Sequence, residues 1–205
     1  MLAPRAATAR VRPRPVEVVV VGLSTGGPAA LSIVAKHLPW DLGAPMLVAQ
    51  HMLEGFIARF AASLQESSHL YAREATDGMD LVPGCIYLAA GGKHLVAARD
   101  GARLVARYDD GPHEHGCKPA ADPLFRSAAK TCGAGVLAVV MTGLGSDGVA
   151  GCREVIAAGG EVFVQDPATA VAPNMPGAVV GAGLASRVLS PDDLGRAIAQ
   201  RVAAR

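Results

Sequence analysis

Residues 16–21 read Val-Glu-Val-Val-Val-Val. A near-continuous β-branched run of this kind suits a strand buried on both faces of a parallel sheet, because both rows of side chains must then be apolar. The run stops at Gly22-Leu23-Ser24-Thr25-Gly26-Gly27-Pro28. Leu31, Val34, Ala35 and Leu38 then recur at helical spacing, and Pro28 suits a first helical turn. Strand, glycine-rich turn and helix in that order form the unit of an α/β domain.

The same alternation continues along the chain. Pro45–Gln50 predicts a second strand and Gly55–Gln65 a helix; Asp122–Thr131 predicts another helix and Val136–Met141 another buried strand. A helix over Val149–Ala158, a strand over Glu161–Gln165 and a closing amphipathic helix over Pro191–Ala204 follow. Between them, Cys85–Ala89, Leu95–Ala98 and Ala102–Ala106 are short extended pieces separated by glycine-containing turns, which predicts a hairpin or small antiparallel ribbon. The expected fold is α/β: a doubly wound, mostly parallel sheet with helices on both faces and a small antiparallel hairpin. One domain is expected over residues 16–205. Residues 1–15, with four arginines and three prolines, read as a disordered Arg/Pro-rich tail or linker remnant.

Composition narrows the function. Hydrophobic residues make up 51 % and charged residues 18 %, so broad disorder is excluded. With 19 basic against 18 acidic residues the net charge is +1, which argues against nucleic acid or a membrane surface as a partner. The longest apolar runs fall far below the roughly 20 residues of a spanning helix, so no membrane insertion is expected. Cys85, Cys117, Cys132 and Cys152 show no paired spacing, and the N-terminal segment lacks the apolar core of a secretory signal. A reducing, cytoplasmic setting follows.

In an open parallel sheet, ligands bind beyond the carboxyl ends of the strands. The first predicted strand delivers Ser24 there, the second delivers His51, and Val136–Met141 leads to Asp147 in a loop with Gly143, Gly145 and Gly148. Serine, histidine and carboxylate are the inventory of nucleophile, general base and orienting acid. Taken singly, Ser24 and Asp147 also suit helix N-caps. Gly22–Gly26 fits G-x-S-x-G, the sharp turn that exposes a nucleophilic serine, although the order Ser-His-Asp differs from that of α/β-hydrolases. Gly22, Ser24 and Gly27 also occupy the positions of G-x-G-x-x-G. The central glycine is missing, however, and Gln50 and His51 stand where a ribose-binding acid belongs. The alternative that remains is a non-catalytic nucleotide- or partner-binding module on the same fold. His113-Glu114-His115-Gly116-Cys117 lies in a polar loop without a second ligand cluster and reads as solvated loop residues. His37, His69 and His94 are isolated, and neither metal nor cofactor is expected.

GLSTGGPAAL at 22–31, VAQHM at 48–52, DGMDLVPGCIYLAAGGKHL at 77–95, ADPLFRSAA at 121–129, MTGLGSDGVAG at 141–151 and QDPATAVAPNMPGA at 165–178 resemble, in order and spacing, the catalytic domain of the chemotaxis protein-glutamate methylesterase CheB family. The resemblance implies a serine hydrolase that demethylates glutamate methyl esters on chemoreceptors and deamidates certain receptor glutamines. Its nucleophile, histidine and aspartate fall on Ser24, His51 and Asp147. Thr25, Gly26, Leu144 and Lys118 would line the oxyanion and substrate site, with backbone N–H groups of Thr25 or Leu144 as oxyanion donors. The implied partners are methylated chemoreceptors, together with a receiver domain or its kinase in a longer protein. Family members usually begin with a phosphorylatable receiver domain, and here only the Arg/Pro-rich segment precedes Val16, which suggests a catalytic fragment or a stand-alone paralogue. Lys118 and Ala120 replace the family's usual arginine and serine, and Leu144 replaces a methionine. Lysine keeps the charge but loses the planar fork.

Overall fold

The computed structural model describes residues 14–204. Of the expected N-terminal tail, residues 1–13 lie outside the described residues, and Arg14 and Pro15 are exposed. In chain order the elements are β1 (Val18–Leu23), α1 (Gly27–Ala35), β2 (Met46–Gln50), α2 (Ile57–Ser67), β3 (Tyr71–Glu74), β4 (Cys85–Leu88), β5 (His94–Asp100) and β6 (Arg103–Asp109). They continue with α3 (Ala121–Cys132), β7 (Val136–Val140), α4 (Val149–Ala157), β8 (Glu161–Gln165), α5 (Asn174–Gly181), β9 (Arg187–Leu189) and α6 (Pro191–Ala203).

Seven strands form one parallel sheet in the order β3-β4-β2-β1-β7-β8-β9, with β1 in the middle. All six residues of β1 are buried, as a doubly covered strand requires. Val19, Val21 and Leu23 pack with Leu31, Phe60 and Ile198 from α1, α2 and α6 on one face. On the other, Val18 and Val20 pack with Leu124, Phe125 and Val155 from α3 and α4. The alternating side chains of one strand thus serve two cores.

The predicted ribbon needs one correction. Cys85–Ala89 does not join it: β4 pairs in parallel with β2 and β3 in the main sheet, and only β5 and β6 form the antiparallel hairpin. The reason is burial. Ile86 and Leu88 enter one core while Tyr87 enters the other, so the segment needs cover on both sides. Three further elements, β3, β9 and α5, were not expected from the sequence.

Candidate active site

The sheet grows away from β1 in both directions, toward β2 on one side and β7 on the other. A crevice therefore opens where the carboxyl ends of these three strands meet. Leu23 pairs in register with Gln50, so the next residues out, Ser24 and His51, leave the sheet side by side. The His51 N–H donates to the Leu23 carbonyl at 3.0 Å. Gln50, only 3 % exposed, donates its amide Nε2 to the carbonyls of both Ser24 and His51, each at 3.0 Å. On the β7 side the Ser24 N–H donates to the Thr142 carbonyl at 2.9 Å. Gly143 is required beside it: a Cβ there would lie 2.8 Å from Ser24 Cβ and 2.2 Å from Met175 Sδ.

The loop after β7 brings Asp147 to His51. His51 Nε2 lies 2.7 Å from Asp147 Oδ2, with side-chain exposures of 10 % and 1 %. The carboxylate also accepts the backbone N–H groups of Ala121 at 2.6 Å and Asp122 at 3.0 Å, the opening residues of α3. Burial on its own would raise the Asp147 pKa. The hydrogen bonds from His51, Ala121 and Asp122 and the attraction of His51 outweigh it and hold the carboxyl below its ordinary value. Asp147 is thereby kept anionic opposite the imidazole. Since Nε2 engages the carboxylate, Nδ1 is the ring nitrogen left for another partner. Among the described residues Ser24 Oγ forms no hydrogen bond, which leaves the hydroxyl uncommitted.

The capping alternative fails for the helices that follow these residues. The N-caps of α1 and α4 are Gly26 and Gly148, both in the left-handed region at φ 79° and 94°, with no side-chain cap. Asp147 instead caps α3, a helix far from it in sequence. The remaining predicted residues are spread around the crevice. Thr25 is exposed, and its carbonyl accepts a 2.8 Å bond from the hydroxyl of buried Thr142. Leu144 is 59 % exposed at the rim. Lys118 donates from Nζ to the Gly111 carbonyl at 2.8 Å and shares with His51, Met52, Leu53 and Cys117 the lining of a cavity of about 300 Å³.

Sequence reasoning missed three contributors. Gln50 and Thr142 had a signal: each is a polar residue ending an apolar strand run. His115 is the third: it is exposed, as expected of a solvated loop, but it does not stand apart from the site. Its Nε2 lies 2.8 Å from Oδ2 of buried Asp122, because the turn at His115–Gly116 folds the loop back over α3. The buried thiols offer no competing nucleophile. Burial pushes Cys132 up to about 11 and Cys152 further still.

Comparison with known proteins identifies the family. Residues 19–198 match the CheB methylesterase family. A protein-glutamate methylesterase/protein-glutamine glutaminase of Caulobacter vibrioides is 47 % identical over 188 residues, covering 91 % of this chain and 54 % of that protein. One from Rhodopseudomonas palustris is 46 % identical over 179 residues, covering 87 % and 46 %. This chain therefore spans about half the length of the curated relatives it matches. The crystal structure of the Thermotoga maritima CheB methylesterase catalytic domain superposes with a TM-score of 0.89 at 33 % identity, covering 91 % of this chain and 99 % of that one. The chain belongs to the CheB methylesterase family.

Proposed function

We propose that residues 16–205 form the catalytic domain of a protein-glutamate methylesterase that also acts as a protein-glutamine glutaminase. Its substrates would be methylated chemoreceptors, and its effect would be to reset receptor signalling during chemotactic adaptation. The observation that carries the reading is the buried His51–Asp147 pair, 2.7 Å apart, set beside the turn that presents Ser24.

In this mechanism Ser24 Oγ attacks the carbonyl carbon of the glutamate methyl ester while Nδ1 of His51 takes the hydroxyl proton. Asp147 fixes the tautomer and stabilises the imidazolium that forms. Backbone N–H groups of Thr25 or Leu144 would receive the oxyanion. The C–OCH₃ bond then breaks, His51 returns the proton to the departing oxygen, and methanol leaves. Water, deprotonated by His51, attacks the acyl-enzyme; the Ser24 Oγ–carbon bond breaks, His51 returns the proton to Ser24 Oγ, and the glutamic acid side chain is released and ionises. Deamidation follows the same course with ammonia as leaving group. No step needs a cofactor or metal. Lys118, in the cavity beside His51, would help position the substrate.

No helix among the described residues is long and apolar enough to cross a membrane, and we place the domain in the cytoplasm, where receptor signalling segments would be reached. In a longer protein, a receiver domain and its kinase would be the regulatory partners. The test is methanol release from methylated receptor together with labelling by a serine-directed fluorophosphonate. Ser24→Ala should abolish both while leaving the circular dichroism spectrum unchanged. Turnover that survives the substitution overturns the assignment of Ser24, whereas an unsubstituted protein that neither releases methanol nor takes the label is a binding module.

A further inference from the structure

Two carboxylates, Asp122 and Asp147, are buried side by side, each about 1 % exposed. One oxygen from each lies with His115 Nε2 in a cluster whose atoms are all within 4.8 Å of one another. Two like charges that close in a site shielded from water are unfavourable unless donors or cations offset them.

The donors can be traced one by one. Asp147 is met by His51 and by the Ala121 and Asp122 amides. Asp122 Oδ1 accepts the Gly151 N–H of α4 at 2.6 Å, which leaves Oδ2 to His115 Nε2 at 2.8 Å. That nitrogen also stands 3.8 Å from Asp147 Oδ1. The charge of Arg126 reaches both carboxylates, but its guanidinium is held in a two-pronged pair with Glu114. Cys117 and Cys152 face the carboxylates as well; burial and that negative charge raise both thiols, so they add no charge of their own. Among the described residues, His115 is the one ionisable donor in contact with Asp122. Its φ of 54° lies in the left-handed region, which histidine tolerates better than most residues.

We propose that His115 is a positioning residue for the Asp147–His51 pair. By engaging Asp122 from the exposed loop, it fixes the first turn of α3, whose amides hold Asp147. The inference rests on the proposed role of Asp147.

The experiment measures kcat and KM for methanol release by the full chain, for His115→Ala and His115→Gln, with Asp147→Asn alongside. His115→Ala should lower kcat about tenfold at nearly constant KM, because a small displacement of a reacting group is costly. His115→Gln, whose amide can still donate to Asp122, should recover most of that loss. A His115→Ala enzyme with wild-type kcat, or a loss that His115→Gln does not recover, overturns the inference. If Asp147→Asn loses turnover and His115→Ala does not, only the role of His115 falls. If Asp147→Asn retains turnover, the catalytic reading of Asp147 fails and this inference fails with it.

Discussion

Asp77 and Asp147 are each held below their ordinary pKa, in opposite surroundings. Asp77 sits exposed beside the β5–β6 hairpin, where the Tyr108 N–H donates to it at 3.0 Å and Arg107 at 3.1 Å. Asp147 lies buried at the carboxyl edge of the sheet, with two backbone amides and His51 as its donors. For Asp77, water can replace any partner that is lost, so the pair is a solvated surface contact. No water substitutes at Asp147, where each donor would be left unsatisfied. The same chemistry is replaceable at one site and obligatory at the other, and burial makes the difference.

Asp147→Asn should break the comparison most visibly. An amide offers one acceptor atom where the carboxylate offers two, so its NH₂ must face a donor, either His51 or an α3 amide. The cost in stability should be about 1–3 kcal/mol. Turnover, measured well below the melting point, should fall by at least about 10²-fold, since the neutral amide cannot stabilise the imidazolium. Retained turnover would leave Asp147 as a cap for α3 and nothing more.

Next comes Gly143→Ala, which tests whether the crowding at the site is as obligatory as the charge. The new methyl would press on both Met175 Sδ and Ser24 Cβ. Turnover should drop about tenfold or more, with about 1–3 kcal/mol of overpacking cost. Adding Met175→Ala relieves the clash at Sδ but opens a buried cavity, and it should not recover turnover. Recovery of turnover would mean that Ser24 tolerates displacement.

A smaller effect is expected on the acid side. The folded pKa of Asp147 is lowered, so the unfolded chain binds its proton first as the pH drops. The stability contributed by the anion is fully present above the unfolded value of about 3.9 and is lost as pH falls through the lower folded value. The Tm gap between wild type and Asp147→Asn should therefore narrow below about pH 4. A gap that holds constant into strong acid would contradict an ionised Asp147.

The smallest effect belongs to the exposed partner. Asp77→Asn should leave turnover unchanged and move Tm by no more than about 2 °C. A loss of activity there would show that the hairpin communicates with the crevice.

How much of this was legible in the sequence varies by element. β1, β2 and β7 were visible because a doubly buried strand leaves a run of apolar residues, and those strands carry Ser24, His51 and Asp147 to one edge. β3 (Tyr71–Glu74) and β9 (Arg187–Leu189) were not, because each is a short edge strand with mostly exposed side chains and no apolar run. α5 hid behind Pro176 and Gly177, residues that ordinarily break a helical pattern. β4 was read as extended but assigned to the wrong sheet, since four extended residues do not specify which neighbour they pair with.

The α/β class, the turn at Ser24 and the residue types available at the carboxyl edge were readable from the chain alone, because hydrophobic period and glycine placement are local properties. The tertiary structure alone decided which groups meet: that Gln50 joins the carbonyls of Ser24 and His51, that Asp147 caps α3 rather than the helix after it, and that His115 reaches Asp122. Such contacts join residues brought close only when helices pack onto the sheet. Their hydrogen bonds become indispensable only once packing has removed the water that would otherwise satisfy the same groups.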